Sequence, residues 1–85
     1  MFRVTIVRVY VDIGKFWPVE LSVNAAYEQL LIRGAKVDRR TLSAARSGTL
    51  ARSEYLTLLR LRDWVRDLTG NSELTIDDLL RVEDD

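Results

Sequence analysis

Eighty-five residues, with thirteen basic and thirteen acidic side chains and a formal net charge of zero, make one small domain near the size at which a single core suffices. Neither cysteine nor histidine occurs, which removes disulfides, thiol nucleophiles, zinc fingers, imidazole bases and charge-relay triads together. No apolar run approaches the roughly 18 residues of a membrane span, and no secretory leader is present, so the expectation is a soluble, cytoplasmic protein.

Residues 1–13, MFRVTIVRVYVDI, are β-branched and alternate in polarity, which predicts a strand. The alternation changes phase, with Phe2, Val4 and Ile6 on one parity and Val7, Val9, Val11 and Ile13 on the other. Either both faces are covered or a bulge lies near Ile6. Gly14-Lys15 then marks a turn, and FWPVELSV returns as a shorter strand that Pro18 confines to an edge. The expectation for residues 1–21 is therefore a β-hairpin whose Val7, Val9 and Val11 pack on helices.

A first helix is expected from a cap at Ser22 or Asn24 to Gly34, burying Ala26, Tyr27, Leu30 and Leu31. A second occupies residues 38–47, between an Asp38 cap and a left-handed Gly48. Within it Leu42 and Ala45 share the inner face, while Arg39, Arg40, Ser43 and Arg46 project outward. A third runs from a Ser53 cap to Thr69 and buries Tyr55, Leu58, Leu59, Leu61, Val65 and Leu68, with Trp64 on its flank. Arg60, Asp63 and Arg66 are spaced to pair on its outer side. A short helix over residues 75–80 begins with Thr75 and Asp78 at capping-box spacing, which accounts for Asp77-Asp78 without a metal. RVEDD either frays as an acidic tail or adds residues 80–82 as a strand beside the first.

TLSAARSG, then YLTLLRLRDWVRDLTG, then LTIDDLL follow one another at a spacing that resembles the helix-turn-helix domain of the Cro and lambda-repressor superfamily, the Xre family, over residues 37–82. That resemblance implies a supporting helix over residues 22–34 and a recognition helix over 38–47. The GAKV linker is about two residues longer than the family's turn, and the hairpin stands where an additional helix is usual. The expected fold class is α+β, a single mostly helical domain: hairpin 1–21, helix-turn-helix bundle 22–82 and acidic tail 83–85.

Charge is unevenly placed. Residues 31–60 hold seven basic and two acidic side chains, whereas residues 61–85 hold three basic and eight acidic ones. Such asymmetry directs one face toward a polyanion. The expected function is a small DNA-binding protein, a transcription regulator placing residues 38–47 in the major groove of double-stranded DNA. Arg39 and Arg40 would meet base edges or phosphates, Ser43 a base or backbone one turn on, and Lys36, Arg46 and Arg52 the phosphates. A homodimer is expected, since family members pair on half-sites and the apolar first strand offers an edge. The four glycines stand alone as turns and caps, so no phosphate loop, cofactor, metal or catalytic group is expected. The competing reading is an adaptor or antitoxin-like module that keeps the frame but binds another protein through the hairpin and the aromatics Tyr10, Phe16 and Trp17.

Overall fold

The structure, a computed structural model, describes residues 7–84. It is α+β: three α-helices and an antiparallel two-stranded sheet formed by one strand near each end of the chain. Strand β1 (Val7–Val11) pairs with β2 (Leu80–Asp84), Val9 lying opposite Val82 and Val11 opposite Leu80. Between them come α1 (Val23–Ile32), α2 (Arg39–Ser47) and α3 (Tyr55–Thr69), with 3-10 turns at Gly14–Phe16 and Ile76–Leu79.

The expected hairpin does not form. After β1, the Ile13 amide donates to the Ala45 carbonyl at 2.9 Å and the Asp12 amide to the Leu79 carbonyl at 2.7 Å. These bonds carry the chain into the helical body instead of back along β1. Ile13 and Trp17 are buried there, Gly14–Phe16 is a 3-10 turn, and the residues that were to return as a strand form a loop before α1, held by an indole bond from Trp17 Nε1 to the Leu21 carbonyl. The partner strand is β2, so Glu83 and Asp84 lie in a ladder and not in a free tail. Of the three valines expected on the helices, only Val11 is buried; Val7 and Val9 are exposed because the ribbon runs outward from the body. The change of phase near Ile6 falls outside the described residues.

Local chemistry starts α1 and α2 and stops α2 and α3. Ser22 Oγ accepts the Ala25 amide to open α1, Asp38 opens α2, and left-handed glycines close α2 and α3. Glu54, not Ser53, occupies the cap position of α3, with no side-chain cap bond, and the Ser53 hydroxyl donates to the Glu54 carbonyl instead. At Ile76–Leu79 the Asp78 carboxylate accepts both the amide and the hydroxyl of Thr75, as the spacing implied.

The core gathers Leu30 from α1, Leu42 and Ala45 from α2, Leu61, Trp64 and Val65 from α3, Val11 from the end of β1, Leu79 from the second 3-10 turn, and Ile13, Trp17 and Leu74 from the connecting chain. Trp64 is central to it, not on a flank: it is 2 % exposed, meets Trp17 edge to face at 5.2 Å, and donates its indole N–H to Gln29. Leu31 and Tyr55, expected inside, are exposed. The outer charges of α3 pair differently too. Arg62 binds Asp63, Arg33 reaches Asp67, and Arg60 and Arg66 donate to the carbonyls of Lys36 and Leu74. Among the described residues, no helix is long and apolar enough to cross a membrane.

Candidate nucleic-acid interface

Helix α2 is built to hold one orientation. The Asp38 carboxylate accepts the Thr41 amide at 2.9 Å and its hydroxyl at 3.1 Å. The first of these bonds holds the Asp38 carboxyl below its ordinary pKa, with the Thr41 hydroxyl and the charge of Arg40 adding to it. Because the folded pKa is depressed, the stabilisation is complete above the ordinary carboxylate pKa of about 4 and is lost as pH falls through the lower folded value. Replacing Asp38 by Ala is expected to lower stability by about 1 kcal/mol at neutral pH and by much less in strong acid. Paired urea titrations of parent and variant at the two pH values test it, and a pH-independent difference would contradict the capping role.

At the other end Gly48 has φ 73°, and a Cβ there would approach the Asp12 carboxylate to 2.8 Å. Two charges meet at this glycine. Arg81 of β2 donates from Nη2 to the Gly48 carbonyl at 2.6 Å and from Nε to Asp12 at 3.2 Å, and Asp12 also accepts the Gly14 amide. A guanidinium at the carboxyl end of α2 is favourably placed against the helix dipole, and it ties the ribbon to the helix. Nothing in the sequence marked this cluster, since Asp12 and Arg81 are 69 positions apart.

The six side chains expected to touch DNA fall into three groups. Arg40 and Ser43 are exposed three positions apart on the outer face of α2, and exposed Ser47, which the sequence reading passed over, follows four positions on. Lys36 and Arg52 line an open cleft between the starts of α2 and α3, together with Val37 and Thr41 and with two acids, Asp38 and Glu54. Arg39 and Arg46, seven positions apart, turn toward the preceding chain.

Arg39 departs most from expectation. Its guanidinium lies 3.9 Å from the centre of the Tyr27 ring, donates from Nε to Asn24 at 2.9 Å and approaches Glu28 at 3.9 Å. It is therefore held against α1 while remaining exposed, not pointed freely into solvent. Arg46 lies more loosely, 5.2 Å over the Trp17 ring. Both contacts are cation–π pairs of about 0.5–1 kcal/mol at exposed sites. The signal for Arg39 was present in the sequence as Tyr27 and Asn24, but which face of α1 would meet α2 could not be read from it.

Comparison of the chain with protein-family models, with curated proteins and with solved structures finds no match.

Proposed function

We propose that the protein is a small DNA-binding regulator of helix-turn-helix type, with α1 as the supporting helix and α2 entering the major groove. One observation carries this reading. The exposed face of a nine-residue helix, capped at both ends, presents Arg40, Ser43 and Ser47, and its own sequence RRTLSAARS contains no acid. Cations on either side extend it: Lys36 and Arg52 along the cleft at its start and Arg46 near its end. Arg40 and Ser43 have the reach and donors to read base edges, and Lys36, Arg46 and Arg52 the place to hold phosphates. Arg39, fixed by Tyr27 and Asn24, serves best as a phosphate contact that also braces α2 on α1.

Alanine substitutions separate these roles. Arg40→Ala is expected to leave stability within about 0.5 kcal/mol of the parent and to cost about 1–3 kcal/mol of binding on a preferred duplex, with relaxed preference at one base pair. Arg46→Ala should weaken all duplexes alike and flatten the salt slope by about one unit. Anisotropy on a randomised and a selected duplex measures both, and unchanged binding in both variants would remove α2 from the interface.

A second reading, a protein-binding module on the same frame, is favoured by the zero net charge and by the exposed Leu31 and Ile32 on α1. It calls for no duplex affinity at all, so the same titrations decide between the two.

A further inference from the structure

Most of the arginines are already engaged. Among the described residues Arg33, Arg62 and Arg81 bind carboxylates, Arg39 bonds to Asn24 beside Glu28, and Arg60 and Arg66 donate to backbone carbonyls. The cations whose side chains make neither an ion pair nor a hydrogen bond there are Lys15, Lys36, Arg40, Arg46 and Arg52. All but Lys15 lie on α2 or line the cleft at its start. Lys15 comes from the 3-10 turn after β1.

That turn is seated on the carboxyl half of α2. The Ile13 amide donates to the Ala45 carbonyl, and Gly14 lies so close to the Arg46 carbonyl that a Cβ would approach it to 2.6 Å. Lys15 comes next, so its Cα stands within roughly 10 Å of that of Arg46, a gap their two side chains can span. Ile13 and Trp17 are buried on either side, while Lys15 is exposed, its ammonium 5.1 Å from the centre of the Phe16 ring. Arg46 lies over the ring of the following residue, Trp17. Both cations rest on aromatic faces, contacts weak enough at exposed sites to give way to a phosphate. Asp12, the acid nearest to Lys15 in sequence, is bound by Arg81 and by the Gly14 amide.

Helix α2 has two flanks between its buried and its outer face. The Thr41 flank opens on the cleft with Lys36 and Arg52; the opposite flank carries Arg39 and Arg46 and ends at the turn with Lys15. Cations on both flanks of one helix match a duplex, whose phosphates border the major groove on its two sides. We infer that Lys15 is a further contact to the DNA backbone, closing a row of Arg39, Arg46 and Lys15 along the flank of α2 opposite Lys36 and Arg52. The inference rests on α2 as the groove helix, and it brings into the interface a segment outside the helix-turn-helix frame. A lysine on the flank, with one flexible ammonium, holds a phosphate in any sequence and reads no base.

Anisotropy titrations of the full chain on randomised and selected duplexes, from about 50 to about 200 mM salt, test it. Lys15→Ala is expected to weaken both duplexes alike, roughly five- to tenfold near 0.1 M salt, and to flatten the salt slope by about one unit, with an unchanged melting curve. Lys15→Arg should keep the parent's affinity and slope. Each phosphate counts separately, so Lys15→Ala and Arg46→Ala combined should flatten the slope by about two units. In the parent, Lys15 adds about one unit to the slope that Lys36, Arg39, Arg46 and Arg52 produce on their own. A parent without duplex affinity would remove α2 as the groove helix, and this inference with it. A parent that binds, with Lys15→Ala keeping either its affinity or its slope, would overturn the Lys15 contact alone.

Discussion

Leu42→Ala is expected to destabilise the protein by about 2–5 kcal/mol, enough to leave much of it unfolded, since a chain of this length holds on the order of 4–13 kcal/mol in total. Leu42 is fully buried beneath α2, and α2 packs on α1, on β1 and on the 3-10 turn after it, so the vacated space opens where several segments meet. Urea denaturation followed by circular dichroism measures the loss. A variant that unfolds at the parent's urea concentration would place Leu42 on the surface, turn α2 about its axis and move Arg40 and Ser43 off the exposed face.

The second large effect is at Trp64. Truncation to Ala removes the largest fully buried side chain, its edge-to-face contact with Trp17 and the indole bond to Gln29, for a loss of about 3–5 kcal/mol. Trp64→Phe should cost distinctly less, because a ring remains to fill the core while only the indole donor and some volume are lost. Thermal melts of the two variants give the ordering. Equal stabilities would mean that the space around the indole collapses without cost, which a close-packed core does not allow.

What could be read from the sequence was local. Asp38 and Gly48 lie within one helix length of each other, and the chemistry that starts and stops α2 is contained in those residues; the structure keeps both ends. Ser22 and the Thr75–Asp78 pair are legible for the same reason. The strand over Val7–Val11 was visible in its β-branched alternation, but of its two candidate partners the nearby return was preferred, and residues 80–82, offered only as an alternative to a frayed tail, supply the strand that pairs with it. Gly14-Lys15 has the composition of a hairpin turn, while the bond that decides the path, Ile13 to Ala45, spans 32 positions. The same blindness hid the Asp12, Arg81 and Gly48 cluster. Trp64 was misplaced because a bulky ring at the border of an apolar stripe fits a flank or a core equally well until the facing helix is known. For the candidate interface, residue type and helix face were readable, and Arg40 and Ser43 are exposed where periodicity put them. The binding of Arg39 to α1 was not, since it depends on how two helices cross.

These contacts bear on how α2 would meet a ligand. Its amino end is braced by Arg39 on Tyr27, and its carboxyl end by Arg81 on the Gly48 carbonyl. A helix fixed at both ends loses little freedom on binding, so its polar face is presented already ordered.

The most direct test of α2 as a DNA reader is the salt dependence of binding to a labelled duplex, followed by anisotropy. With Lys36, Arg39, Arg46 and Arg52 as the phosphate-neutralising set, about three to four counterions should be released per bound chain. The logarithm of affinity should then fall against the logarithm of salt with a slope of about −3.6, roughly a 150-fold loss between about 50 and 200 mM. A protein that ignores duplex DNA at the lowest salt, or binds it with a slope near zero, would contradict the assignment.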